Sequence, residues 1–250
     1  METPGPGSEG GLANAILGSV MMCLVAMIFS VIIGVLAGTW LAEIGGDSRY
    51  AQVVRFLNDV LLSAPSILVG LFIYTILVYP SSPFSLGHFS GWAGAVALAM
   101  LATPIVTRTT EDILNLQPNA LREAGMALGA SQWVTVKSII WKAAGAGLLT
   151  GGLLGFARIS GETAPLLFTS LGNQFFNGPG FSHQNLGGIL QNFDLSQQTA
   201  SLPTVINQFA MSAYDDWIKL AWTGALIVAM SVLSVNIIGR WVASQANKSK

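Results

Sequence analysis

Arg158 and Glu162 lie four residues apart in a segment that otherwise reads as apolar enough to cross a membrane. On a continuous helix that spacing places both side chains on one face. An arginine at the bilayer centre costs roughly 2.5–3.5 kcal/mol to insert, so such residues normally face a cavity or a partner and mark an ion path. A guanidinium offers a forked donor and a fixed positive charge to an oxyanion. A nearby carboxylate keeps that charge from trapping the anion too tightly. Gly161 and Pro165 flank Glu162, Thr163 and Ala164. Proline removes a backbone donor and crowds the preceding turn, so the helix is expected to kink or open there. Broken helices of this kind build substrate sites in membrane proteins. Arg158, Glu162 and Thr163 are therefore the candidate substrate path. The same residues also fit a self-neutralised pair that only holds the span against its neighbours.

No bond-making chemistry competes with passage of an ion. The sequence has no G-x-S-x-G elbow and no G-x-x-x-x-G-K-[ST] loop, so it shows neither a hydrolase nucleophile nor a nucleotide site of its own. His88 and His183 are far apart and lack H-E-x-x-H or cysteine partners, so no metal site is expected. The single cysteine, Cys23, excludes an intrachain disulfide. Asp215 and Asp216 beside Trp217 read as a solvated outer cap of a span, or as a docking point for a soluble binding protein.

The elements that must position these residues are membrane helices. Of 250 residues 52% are hydrophobic and 9% charged, against roughly 25% charged in a soluble domain. The net charge of −1 and the lack of a basic tract leave no electrostatic footprint for nucleic acid. The uncharged runs predict an all-α integral membrane protein with about five spans, near 15–40, 60–79, 92–107, 143–170 and 217–242, in a single membrane domain over 1–250. The segment from Tyr79-Pro80 to Gly91 reads as a hairpin, and the segment from Gly172 to Gln208 as an ordered loop with short helices and little periodicity. Arg49, Arg55, Arg108, Arg122, Lys137, Lys142, Arg240, Lys248 and Lys250 fall on one side of this arrangement. That side is predicted to be cytoplasmic, with the C terminus inside and the N terminus outside. The acidic, Pro/Gly-rich start does not read as a signal peptide.

The cytoplasmic segment over 108–142 contains the pattern of two short helices. Asn119 is a candidate N-cap, and Leu121, Ala124, Gly125 and Leu128 make one apolar stripe with small residues at its middle. Gly129 suits a left-handed helix end, and Ser131 suits the cap of a second helix running through Trp133, Val136 and Ile140. The stripe fits a partner's groove or the protein's own membrane surface, and periodicity alone does not separate the two.

Glu123-Ala124-Gly125, three residues, Gly129, nine residues and Ile139 resemble the EAA loop of binding-protein-dependent ABC permeases, written E-A-A, three residues, G, nine residues, I, one residue, L-P. The sequence departs from it at Gly125 and at Trp141-Lys142. Three further segments narrow the likeness: Phe56 to Ser66 (FLNDVLLSAPS), Pro104 to Glu111 (PIVTRTTE) and Gly161 to Thr169 (GETAPLLFT). Together they resemble the PstA-type permease family of bacterial phosphate ABC transporters over about Gly10 to Arg240.

The resemblance implies a type I ABC importer permease fold in the bacterial cytoplasmic membrane, and import of inorganic phosphate driven by ATP. It implies a heterodimer with a sister permease subunit, two ATP-binding subunits and an extracytoplasmic phosphate-binding protein. The chain is expected to be non-catalytic and to carry no cofactor, with ATP and Mg bound by the partners. The coupling helix falls on about Ala120 to Leu128, making Leu121, Glu123, Ala124, Gly125, Leu128 and Gly129 the candidate ATPase-coupling residues. The family usually has six spans, so either a truncated start or a naturally shortened subunit is expected. Alternatives are a permease for another oxyanion or solute and a non-transport membrane scaffold or sensor.

Overall fold

The computed structural model describes residues 11–173 and 195–248, with side chains to residue 245. Among the described residues every regular element is helical. In chain order they are α1 (Ala13–Trp40), α2 (Arg49–Ser63), α3 (Ser66–Ile73), α4 (Gly91–Asn115), α5 (Asn119–Ala127), α6 (Gln132–Thr135), α7 (Trp141–Ala143), α8 (Gly145–Ser160), α9 (Ala164–Thr169), α10 (Leu202–Ala210) and α11 (Asp215–Lys248). Three π-helical turns, Leu41–Gly45, Tyr74–Val78 and Val136–Ile140, extend α1, α3 and α6.

Among the described residues, three helical segments are long and apolar enough to cross a membrane: Ala13–Gly45, Gly91–Asn115 and Asp215–Gln245. The count rises to five if Arg49–Ser63 with Ser66–Val78, and Gln132–Ala143 with Gly145–Ser160, each form one broken span. Several helix boundaries differ from the apolar runs for local reasons. Helix α4 continues to Asn115, well beyond the expected end at 107. Its extra turns bury Glu111 and Leu114, and an ion pair to Glu111 removes the penalty that made the charge look like a span end. The 60–79 run is divided at Ala64, whose extended backbone precedes Pro65. The 143–170 run is divided at Gly161–Thr163, between α8 and α9.

The described residues fall into two compact units, each discontinuous in sequence: those within 1–26, 65–100 and 159–232, and those within 27–64, 101–158 and 233–250. In the first unit Leu12, Ala15, Leu202, Val205, Phe209 and Ala221 form a buried core. Helix α10 is capped by Ser201, which accepts from the Thr204 amide, and has proline in its first turn. Its Leu202, Val205 and Phe209 fall on one face, a helical period that lies inside the segment expected to show little of it. Trp217 stacks on Phe209 with ring centroids 4.7 Å apart.

The second unit is organised by close backbone approach. Gly147, Gly151 and Gly155 recur every four residues along α8, and a β-carbon at each would stand 2.6 Å from Ile113, 2.5 Å from Thr109 and 3.1 Å from Val106 of α4. Gly34 and Gly38 of α1 meet Val106 and Thr110 of α4 in the same way. Small residues at this spacing let membrane helices gain dispersion contacts, where lipid offers no hydrophobic drive for association. Below them Leu114, Ile140 and Ala144 form a second buried cluster, with Leu121, Ile139 and Trp141 against it.

Candidate functional site

Arg158 occupies the last turn of α8 and is exposed. The helix ends at Ser160, so the continuous helix that would carry Arg158 and Glu162 on one face stops two residues short of Glu162. Glu162 sits in the non-helical link with 8% exposure, and Thr163 immediately precedes α9. Pro165 belongs to the first turn of α9, where a missing N–H costs no helical bond. This link is the opening that Gly161 and Pro165 predict. Gly70 of α3 holds the far side of the break: a β-carbon there would lie 2.6 Å from the Pro165 Cα, so only glycine admits α9 at this distance.

The hairpin over 119–143 also follows its grammar with local changes. Pro118, not Asn119, takes the N-cap position of α5, and no side chain caps it there. Asn119 is the first helical residue, and its Oδ1 accepts from Arg122 at 3.3 Å. Gly129 has φ +80, the left-handed helix end. Ser131 caps α6 by accepting from the Val134 amide at 3.4 Å.

The expected apolar stripe splits between two faces. Leu121 packs on the Leu114–Ile140 cluster. Gly125 is buried, and a β-carbon on it would stand 2.5 Å from Thr135 Cγ2 and 2.7 Å from Thr135 Oγ1. Thr135 thus occupies the space that the second alanine of the E-A-A pattern would need. Glu123, Ala124, Leu128 and Gly129 are exposed, Leu128 to 87%. The face free for a partner is therefore Ala120, Glu123, Ala124, Ala127 and Leu128, at i, i+3, i+4, i+7 and i+8.

Sequence reasoning missed what ties this hairpin to the end of α1. Arg122 Nε and Nη2 donate to the two Glu43 carboxylate oxygens at 2.9 and 2.7 Å, a bidentate fork. Glu43 is 4% exposed and Arg122 20% by side chain. The hydrogen bond to Glu43 raises the Arg122 pKa against the opposing effect of burial. Gln132 Nε2 donates to the Glu43 carbonyl at 2.7 Å. A second ion pair joins Arg55 Nε to one Glu111 oxygen at 2.6 Å, while Arg55 Nη1 donates to the Gly46 carbonyl at 2.8 Å. Trp141 Nε1 donates to Thr39 Oγ1 at 3.1 Å. Only the charge signs of Glu43 and Arg122 hint at this in sequence, because 79 positions and the whole of α2, α3 and α4 separate them. His88 Nε2 contacts the Ser196 carbonyl at 2.7 Å; His183 lies outside the described residues.

The model of the family described as binding-protein-dependent transport system inner membrane component matches residues 30–248. A phosphate transport system permease protein PstA from Pasteurella multocida is 51% identical over 247 residues, 99% of this chain and 81% of that protein. The PstA of Haemophilus influenzae is 50% identical over 95% of this chain and 77% of its own length. The chain belongs to the PstA family of binding-protein-dependent inner-membrane permeases. A more distant relative, the probable PstA of Methanocaldococcus jannaschii, is 32% identical over 91% of this permease and 74% of its own length. In fold, the permease matches an inward-facing MetNI methionine ABC transporter chain with a TM-score of 0.71 at 18% identity, covering 94% of this chain and 95% of that one. This permease therefore has the type I ABC importer fold and is a membrane component of a transport system.

Proposed function

We propose that this permease carries inorganic phosphate into the cell as one of two membrane subunits of an ATP-driven importer. The observation that carries the substrate is the 51% identity over 247 residues to a phosphate transport system permease. In this reading the path includes Arg158, Glu162 and Thr163. Arg158 offers the phosphate dianion its forked donor, Glu162 tempers that attraction, and Thr163 adds a hydroxyl at the helix break. A sister permease supplies the other wall, and an extracytoplasmic phosphate-binding protein delivers the substrate.

The ATP-binding subunits, which bind ATP and Mg, seat α5 by its outer face, with Glu123 at its polar edge and Leu128 as its apolar anchor. The hairpin and the C terminus lie in the cytoplasm, on the side of the basic residues. Family membership, the helix break beside an intramembrane arginine and the unburied outer face of α5 support this assignment together. Competition separates it from a permease of the same architecture for another oxyanion. Import of labelled phosphate by the assembled transporter is expected to resist excess sulfate and molybdate and to fall with excess unlabelled phosphate. Inhibition by sulfate or molybdate at equal concentration contradicts the assignment.

A further inference from the structure

We infer that Glu43 and Arg122 are positioning residues for coupling, forming the joint through which movement of the α5–α6 hairpin reaches α1; this deepens the transport reading above and rests on it. All five guanidinium N–H groups of Arg122 are employed. Nε and Nη2 hold the two carboxylate oxygens of Glu43, at 2.9 and 2.7 Å. Nη2 also holds the Leu114 carbonyl at 2.8 Å, and Nη1 holds the Gln117 carbonyl at 2.8 Å and Asn119 Oδ1 at 3.3 Å. One side chain on α5 thus closes carbonyls at the C-terminal end of α4 and grips the π-turn that ends α1.

Glu43 is gripped twice in return. Its carboxylate is held from α5, and its carbonyl accepts from Gln132 on α6 at 2.7 Å. The two helices on either side of the Gly129 turn therefore converge on one residue of α1. The π-turn around Glu43 is held from α2 as well, because Arg55 donates to the Leu41 carbonyl at 3.3 Å and to the Gly46 carbonyl at 2.8 Å.

The hairpin does not need Glu43 for its own shape. Gly125 against Thr135, and Leu121 against the Leu114–Ile140 cluster, hold it together and against the end of α4. Losing the Glu43 carboxylate charge leaves those contacts and the Arg122 bonds to Leu114 and Gln117 in place. What is lost is the rigid, charge-assisted hold on α1. A hairpin pushed by the ATP-binding subunits then draws on α1 only through the uncharged Gln132–Glu43 carbonyl and Trp141–Thr39 bonds, a weaker hold.

The test uses the complete transporter, this chain with its cognate partner subunits, reconstituted in liposomes as wild type and Glu43→Gln. The expected result is normal co-purification of the ATP-binding subunits, with ATP hydrolysed per phosphate imported rising at least about fivefold, the lower end of ordinary coupling factors. Glu43→Asp is expected to recover part of the loss. An unchanged ratio, or import and hydrolysis falling in proportion, overturns the inference.

A second readout does not depend on the solute. With Cys23 replaced by serine, spin labels at Ile44 and Ser138 report the separation of the α1 end and the hairpin. It is expected to stay constant between nucleotide-free and vanadate-trapped wild type and to broaden or shift between them in Glu43→Gln. A wild-type separation that changes between the two states overturns the joint. Failure of the wild type to import phosphate while the labels stay locked counts against the substrate assignment and leaves the joint standing.

Discussion

At the scale of single residues, charge and size decide more here than hydrophobicity. Gly125 interrupts the E-A-A pattern because Thr135 Cγ2 fills the space of a β-carbon. Gly125→Ala is expected to cost about 1–3 kcal/mol through overpacking, lowering the unfolding temperature of the detergent-solubilised chain. Thr135→Ala in the same chain is expected to restore most of it, since both crowding atoms leave. If the double variant melts no higher than the single one, the packing account of Gly125 fails. A bulky change such as Gly125→Trp breaks the hairpin internally before it disturbs any partner. Glu111, 4% exposed, is tolerated within α4 because Arg55 meets it at 2.6 Å. Removing one partner of a buried pair typically costs about 3–5 kcal/mol. Glu111→Leu alone is therefore expected to destabilise by an amount of that order, whereas Arg55→Met with Glu111→Leu recovers part of it; equal losses in a thermal melt contradict a working pair.

At the scale of elements, the two faces of α5 carry different expectations. Leu121→Asp places a charge against Leu114 and Ile140 and is expected to reduce folded chain in the membrane. Leu128→Asp, on an 87% exposed position, is expected to leave stability within about 0.5 kcal/mol while weakening capture of the ATP-binding subunits by the purified chain. Equal capture by wild type and Leu128→Asp contradicts the outer face as the docking surface. Much of this hairpin was legible in the sequence, because its caps are local: Gly129 and Ser131 do what their residue types predict. Which side of the stripe faces inward was not legible, because Thr135 and Ile140 decide it from the next helix. The end of α4 was hidden for a related reason, as Glu111 reads as a span boundary until its distant partner Arg55 is known. The glycine rows of α1 and α8 were present as spacings of four, yet only the facing α4 shows that these rows serve close approach. Helix α10 carried a cap, an early proline and a helical period, signals outweighed by the polar loop composition before it.

At the scale of the whole molecule, the fold class followed from composition: 9% charge and long apolar runs admit only helices crossing a membrane, and the type I ABC importer fold agrees. What composition did not carry is the two ion pairs, Arg122 with Glu43 and Arg55 with Glu111, that join α1, α2, α4 and α5. Such a node suits a machine in which one surface helix is pushed and several membrane helices must answer. In the proposed transport cycle, phosphate passes Arg158 on its way through the membrane. The most direct measurement is uptake of radiolabelled phosphate by cells lacking their own phosphate permeases, supplied with this chain and its cognate partner subunits, as wild type and Arg158→Gln at equal membrane expression. Uptake by the wild type is expected to fall at least about tenfold in the variant, as loss of a charge-assisted contact implies. Equal uptake by the two would contradict Arg158 as part of the path, and no uptake by either would contradict phosphate import itself.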